Sequence, residues 1–268
     1  WRMLPIMVMI KALSTSKLPI PMSNSIPNII AQRYASEAIC DLWSESGRIL
    51  LEREFWLAVL KAQNDLGLPV PPEAIAAYER VKNSVDLESI ARRETISRHD
   101  VKARIEEFCA LAGHEHIHKG MTSRDLTDNV EQYQILKSLQ LIQIKYVALL
   151  LRLGQRALQW KDLALAGRTH YAAAQPTTLG KRMAMFGEEM LGAFHRLGTL
   201  VESYPLRGLK GAVGTALDQY TLLDGNLERL EKLQAQVRHH LGFQRELGAV
   251  GQIYPRSLDF DAISCLYQ

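Results

Sequence analysis

LGKRMAMFGEEMLGAFHRLGTLVESY, residues Leu179–Tyr204, spaces its apolar side chains three and four apart at Leu179, Met183, Phe186, Met190, Phe194, Leu197, Val201 and Tyr204. On a helix of about 3.6 residues per turn that spacing makes one apolar stripe. Pro205 ends the helix by withholding a backbone donor. The same spacing comes earlier at Leu126, Val130, Tyr133, Leu136, Leu139, Ile142, Tyr146, Leu150 and Leu153. It returns at Tyr220, Leu223, Leu227, Leu230, Leu233, Val237 and Leu241, with Gly242 as a stop. Three long amphipathic helices in succession predict a bundle, because each can bury its stripe only against the others. Two-residue alternation, the mark of a half-buried strand, is hard to find. The expected fold class is all-α.

Upstream the apolar-periodic pieces are shorter, around Ile39–Leu66, Glu73–Val81 and Asp100–Ala112, with breaks at Gly67-Leu68-Pro69 and Pro71-Pro72. The expected organisation is a disordered leader (1–25), an N-terminal helical domain (26–121) and a central bundle domain (122–268). Ser257–Gln268 reads as the opening of another helix, so the bundle is expected to be incomplete. Pro5, Lys11, Pro19 and Pro21 interrupt the leader, Met7–Ile10 is far too short to span a membrane, and Met22 is the expected start.

Composition narrows the class. Hydrophobic residues are 47% and charged residues 23%, too apolar for a disordered chain. The net charge of +3 is scattered, which gives no nucleic-acid stripe. Cys40, Cys109 and Cys265 are widely spaced and fit neither a disulfide framework nor a zinc site. A reducing, cytoplasmic setting without a membrane is expected.

The candidate chemistry lies in loops and at helix starts. Arg98-His99-Asp100 precedes a periodic helix that Ser97 or Asp100 could cap. Taken alone it reads equally as a capped helix with a surface ion pair. His114, His116 and His118 alternate, and on an extended strand they would point one way; no metal is expected. Thr122, Ser123 and the following helix start offer hydroxyls and N–H groups to an anion, and equally form a double N-cap. Gly167–Arg182 carries His170, Thr177 and Thr178 in what reads as a loop joining two antiparallel helices. Gly208–Thr215 is glycine-rich but wrongly spaced for a P-loop. His195, His239 and His240 sit on bundle helices and read as surface or packing residues.

Three ordered strings carry a resemblance: Thr122-Ser123-x-Asp125-x-x-Asp128-Asn129, Thr169-His170 followed by Gln175-Pro176-Thr177-Thr178-x-Gly180-Lys181, and Ala212-Val213-Gly214-Thr215. They resemble the fumarase/aspartase superfamily. Arg33-Tyr34-Ala35-Ser36, Arg98-His99-Asp100-Val101, His118-x-Gly120-x-Thr122-Ser123 and Gly251-Gln252-x-x-x-Arg256 are similar to its adenylosuccinate lyase family, over about Ile26–Gln268. The resemblance implies a β-elimination that splits adenylosuccinate into AMP and fumarate, and likewise cleaves the succinylated aminoimidazole carboxamide ribotide, without a cofactor. It implies His170 as general acid and His99 as a second catalytic histidine, with Arg98 and Asp100 beside it. It further implies Thr122 and Ser123 on a substrate carboxylate, Arg33 and Tyr34 at the nucleotide end, and Gln252 and His118 in the site. Each active site would be built from three subunits of a homotetramer.

Two departures stand out. The serine-rich loop that supplies the family's base is not found in these residues, so the chain alone is expected to be inactive and poorly assembled. After His170 the chain reads Tyr171-Ala172-Ala173-Ala174-Gln175 where Gly-Gln-His-Ala is commoner. The alternatives are a sister enzyme of the argininosuccinate or muconate cycloisomerase type, a non-catalytic helical scaffold, or a helical nucleic-acid binder. Arg33-Tyr34 and Arg98-His99-Asp100 favour a nucleotide.

Overall fold

A computed structural model describes residues 28–268; the expectations for a leader over 1–25 and a start at Met22 lie outside the described residues. Asn28 opens the first helix, its side-chain oxygen accepting the Ile30 and Ala31 N–H groups. Helices α1 (Ile29–Tyr34) and α2 (Glu37–Trp43) lead to α3 (Glu45–Asp65), which Ser44 caps through the Gly47 N–H. After α3 come α4 (Pro72–Val81), α5 (Leu87–Ser97) and α6 (Asp100–Ala112). Helix α3 is buried nearly all round and forms the centre of this part. Beside it the Tyr78 and Phe108 rings meet edge to face at 4.9 Å, and the Arg53 guanidinium lies 4.5 Å over Phe108. Arg53 is buried: it pairs with Glu107 and donates to the Val81 and Lys82 carbonyls, while its Nε has no hydrogen-bond partner. The periodic pieces did not predict α5, because Ile90 is its one buried residue.

The two longest helices follow their stripes: α7 (Ser123–Gln159) and α8 (Leu179–Ser203). Two expectations need correcting. The loop expected between them holds an antiparallel hairpin, β1 (Ala164–Thr169) and β2 (Ala172–Thr178). Its strands are mostly exposed, so no apolar alternation marks them. The third stripe is two helices, α9 (Leu217–Leu222) and α10 (Leu227–His240). Between them Asp224 and Gly225 turn left-handed at φ 57° and 71°, and Asn226 caps α10 through the Arg229 N–H. Strands β3 (Pro205–Leu206) and β4 (Arg245–Glu246) pair in parallel, and α11 (Ser257–Tyr267) lies where a last helix was expected.

The described chain divides into two compact units. One comprises 28–138 and Ser203–Leu258, the other Leu139–Glu202 and Asp259–Gln268, and α7 runs from the first into the second.

Candidate active site

The start of α7 gathers four of the expected site residues in the first unit. His99, rather than Ser97 or Asp100, caps α6: its Nδ1 accepts the Lys102 N–H at 3.2 Å. With Nδ1 accepting, the neutral ring carries its proton on Nε2, which lies 3.5 Å from Ser123 Oγ at the first turn of α7. Arg98, next to it, closes α5 in the left-handed region at φ 51°.

Asp100 extends this group inward. Its carboxylate lies 3.7 Å from His99 Nδ1 and 3.1 Å from Arg104, and Arg104 meets the fully buried Glu52 at 2.6 Å. Burial raises the Asp100 carboxyl, but the Val101 N–H, Arg104 and His99 outweigh it and hold the group below its usual range. For Glu52 burial wins over Arg104 and Arg48, and its carboxyl is pushed up.

His118 is turned away from the neighbours that sequence spacing gave it. The segment turns instead of extending, with His118 at φ 65° and Gly120 at φ 66°. A Cβ at Gly120 would stand 2.4 Å from Leu222 Cδ1, so the Leu222 side chain would have to shift to admit one. His118 Nδ1 accepts the Trp56 indole N–H at 2.9 Å, whereas His116 Nδ1 lies 3.3 Å from Lys119 Nζ. Burial, opposed by Asp125 and aided by His99, pushes the His118 imidazole down to about 4.

Below the first turn, α7 presents a buried polar ladder that holds two loops. Asp125 Oδ2 accepts the Thr122 N–H at 2.9 Å, one half of a capping box. Its Oδ1 accepts from Arg207 at 2.6 Å and from the Lys210 and Gly211 N–H groups, both at 3.0 Å. Asp128 accepts the Tyr254 N–H, Asn129 clasps both backbone groups of Gly208, and Gln132 bonds Pro205 O and Arg207 N. The acidic and amide residues of the α7 string therefore build the frame of the glycine loop. Gly214 belongs to that frame: at φ 88°, a Cβ there would lie 1.9 Å from Val250 O. Gln252 is exposed in the loop held by Tyr254 and by Gly251 O, which accepts from Arg207.

His170 belongs to the other unit. It and Tyr171 form the two-residue tip of the hairpin, with φ 46° and 65°, and both are exposed. Two positive φ values are the pattern of a type I′ turn, which Asn-Gly fits best, so a His-Tyr pair there is strained. Gly167 sits at the bulge below the tip, where a Cβ would approach Gln175 O at 2.9 Å. Arg33 and Tyr34 end α1, both exposed, and among the described residues no hydrogen bond or ion pair joins them to the His99 group.

Sequence reading missed Trp56, Arg104, Glu52 and Arg207, all buried inside apolar or charged runs that carry no local mark. Spacing of four from Asp100 to Arg104 was the one available signal.

A family model described as Lyase matches residues 35–241. Adenylosuccinate lyase of Schistosoma mansoni is 33% identical over 89% of this chain and 50% of its own length. That of Saccharomyces cerevisiae is 34% identical over 88% of this chain and 50% of its own length. The chain thus spans about half the length of the curated relatives it matches. Among solved structures, 3-carboxy-cis,cis-muconate lactonizing enzyme from Pseudomonas putida superposes with a TM-score of 0.69 at 22% identity, over 89% of this chain and 54% of that one. Fumarate lyase from Mesorhizobium sp. BNC1 gives 0.65 at 23% identity, over 86% and 53%; both likenesses are of fold. The chain therefore belongs to the lyase family that the family model describes, and its curated relatives named above are adenylosuccinate lyases.

Proposed function

We propose that this chain is part of a C–N lyase that cleaves adenylosuccinate to AMP and fumarate by β-elimination, and the succinylated aminoimidazole carboxamide ribotide in the same way. The observation that carries the reading is the facing of His99 Nε2 and Ser123 Oγ at the amino end of a 37-residue helix. Hydroxyl, imidazole and the helix dipole together suit a substrate carboxylate and the charge that builds on it.

In this reading a base removes a proton from the succinyl Cβ, the C–N bond breaks, fumarate departs, and His170 protonates the leaving nitrogen. No residue in 28–268 is assigned as that base. Thr122 and Ser123 hold the carboxylate, His99 acts beside them with Arg98 and Asp100, and His118 and Gln252 contact substrate. Arg33 and Tyr34 take the nucleotide end, where a guanidinium suits phosphate. No cofactor takes part.

The exposed position of His170 is consistent with sites shared between subunits of a homotetramer, in which a hairpin tip reaches a neighbour's pocket. Helix α7 is the one described helix long and apolar enough to cross a membrane; family membership supports a bundle helix of a cytoplasmic enzyme instead. Neither membrane nor nucleic acid is a partner in this reading.

The test is fumarate release by the protein made from its complete reading frame, offered adenylosuccinate and argininosuccinate in parallel. Turnover of adenylosuccinate, inhibited by nucleotide phosphate, is expected; turnover of argininosuccinate alone would move the assignment to the sister enzyme. The 268-residue chain by itself is expected to release no fumarate.

A further inference from the structure

We propose that Trp56 is a positioning residue that locks His118 as the neutral Nε2–H tautomer, so that His118 serves the site as a hydrogen-bond donor and not as an acid. An indole N–H can only donate, so the ring nitrogen that receives it must be bare. That nitrogen is His118 Nδ1, 2.9 Å from Trp56 Nε1, and a neutral ring then has its proton on Nε2. The ring planes stand at 79° with centroids 6.0 Å apart, so the indole edge meets the imidazole edge. Turning the ring over would put Cδ2–H against the indole N–H and leave that donor without an acceptor.

Protonation is opposed by the same contact. An imidazolium has no acceptor, so charging His118 would orphan the N–H of Trp56, a side chain 1% exposed on the buried helix α3. The titratable groups acting on the ring are Asp125, which favours the cation, and His99, which opposes it when it is itself protonated. Asp125 has already committed both oxygens, to Thr122 on one side and to Arg207, Lys210 and Gly211 on the other. The left-handed backbone of His118, φ 65°, is a strained conformation for a residue with a side chain, and it is held where this bond forms.

The role as a donor to substrate rests on the lyase reading; the tautomer does not. The experiment therefore reads the ring itself. Long-range proton–nitrogen spectra of the histidine- and tryptophan-labelled 268-residue chain are expected to show His118 as a single Nε2–H tautomer from pH 8 to 5.5. A coupling across the hydrogen bond between Trp56 Nε1 and His118 Nδ1 is expected in the same sample. Trp56→Phe, which keeps the ring and removes the donor, is expected to give a mixture of tautomers and a higher titration midpoint for His118. An Nδ1–H or cationic His118 at pH 7, or absence of the coupling, overturns the proposal in the unaltered chain even if the variant fails to fold. A single Nε2–H tautomer in folded Trp56→Phe overturns it too. Failure of the fumarate-release assay with these spectra as expected would count against the lyase reading alone.

Discussion

Asp125 shares one buried carboxylate among four donors, and Arg207, its charged partner, is itself fully buried. A pair of this kind adds little net stability when whole, because both ions were taken out of water. Broken, it leaves one of them uncompensated. Asp125→Ala is expected to cost about 3–5 kcal/mol in urea unfolding, and a loss below ~1 kcal/mol would show that the ladder does not hold the glycine loop. His118 gives a second prediction at this scale. Its folded pKa of about 4 lies below the ordinary 6.5, so between those values the unfolded chain binds more protons than the folded one. The contribution is complete above pH 6.5 and is lost as pH falls towards 4, to a total of about 3 kcal/mol. The urea midpoint of the unaltered chain should fall more steeply over this range than that of His118→Gln; parallel curves would contradict it.

Helix α7 was legible over most of its length because its stripe keeps one period from Leu126 to Leu153. The hairpin was not, since Ala, Gly and Thr facing solvent on both sides give no alternation to read. The split between α9 and α10 was equally hidden, because Leu223 and Leu227 stay in phase across a turn made by Asp224 and Gly225. For the site, motif order brought out His99, His118, Thr122 and Ser123, which the fold gathers at one helix start. Their orienting partners, Trp56 above all, come from distant elements and leave no local pattern. At the hairpin tip the strained His170-Tyr171 pair makes a stability prediction. Replacing it with Asn-Gly relieves two unfavourable left-handed residues and should stabilise the chain by about 1–2 kcal/mol. A lower thermal midpoint for that variant would contradict the turn assignment.

The unit formed by Leu139–Glu202 and Asp259–Gln268 leaves much apolar surface uncovered. Leu158 is 72% exposed, Phe186 54%, Phe260 70% and Ile263 67%. Surface of this kind belongs to an interface or aggregates. Sedimentation of the 30.2 kDa chain should therefore give species larger than the monomer. Phe186→Glu with Ile263→Glu should shift them towards monomer, whereas a monomer before substitution would mean that these faces need no partner. Half the relatives' length is here, with the imidazole and hydroxyl group at the start of α7 and the histidine on the hairpin tip. In the proposed function these belong to one elimination reaction. That assignment is tested most directly by the fumarate-release rate of the protein made from its complete reading frame, set against His170→Ala. Turnover is expected to fall by about 100-fold or more in the variant, the scale of losing a general acid, with assembly unchanged. Equal rates in the two proteins, or no release from either when correctly assembled, would contradict it.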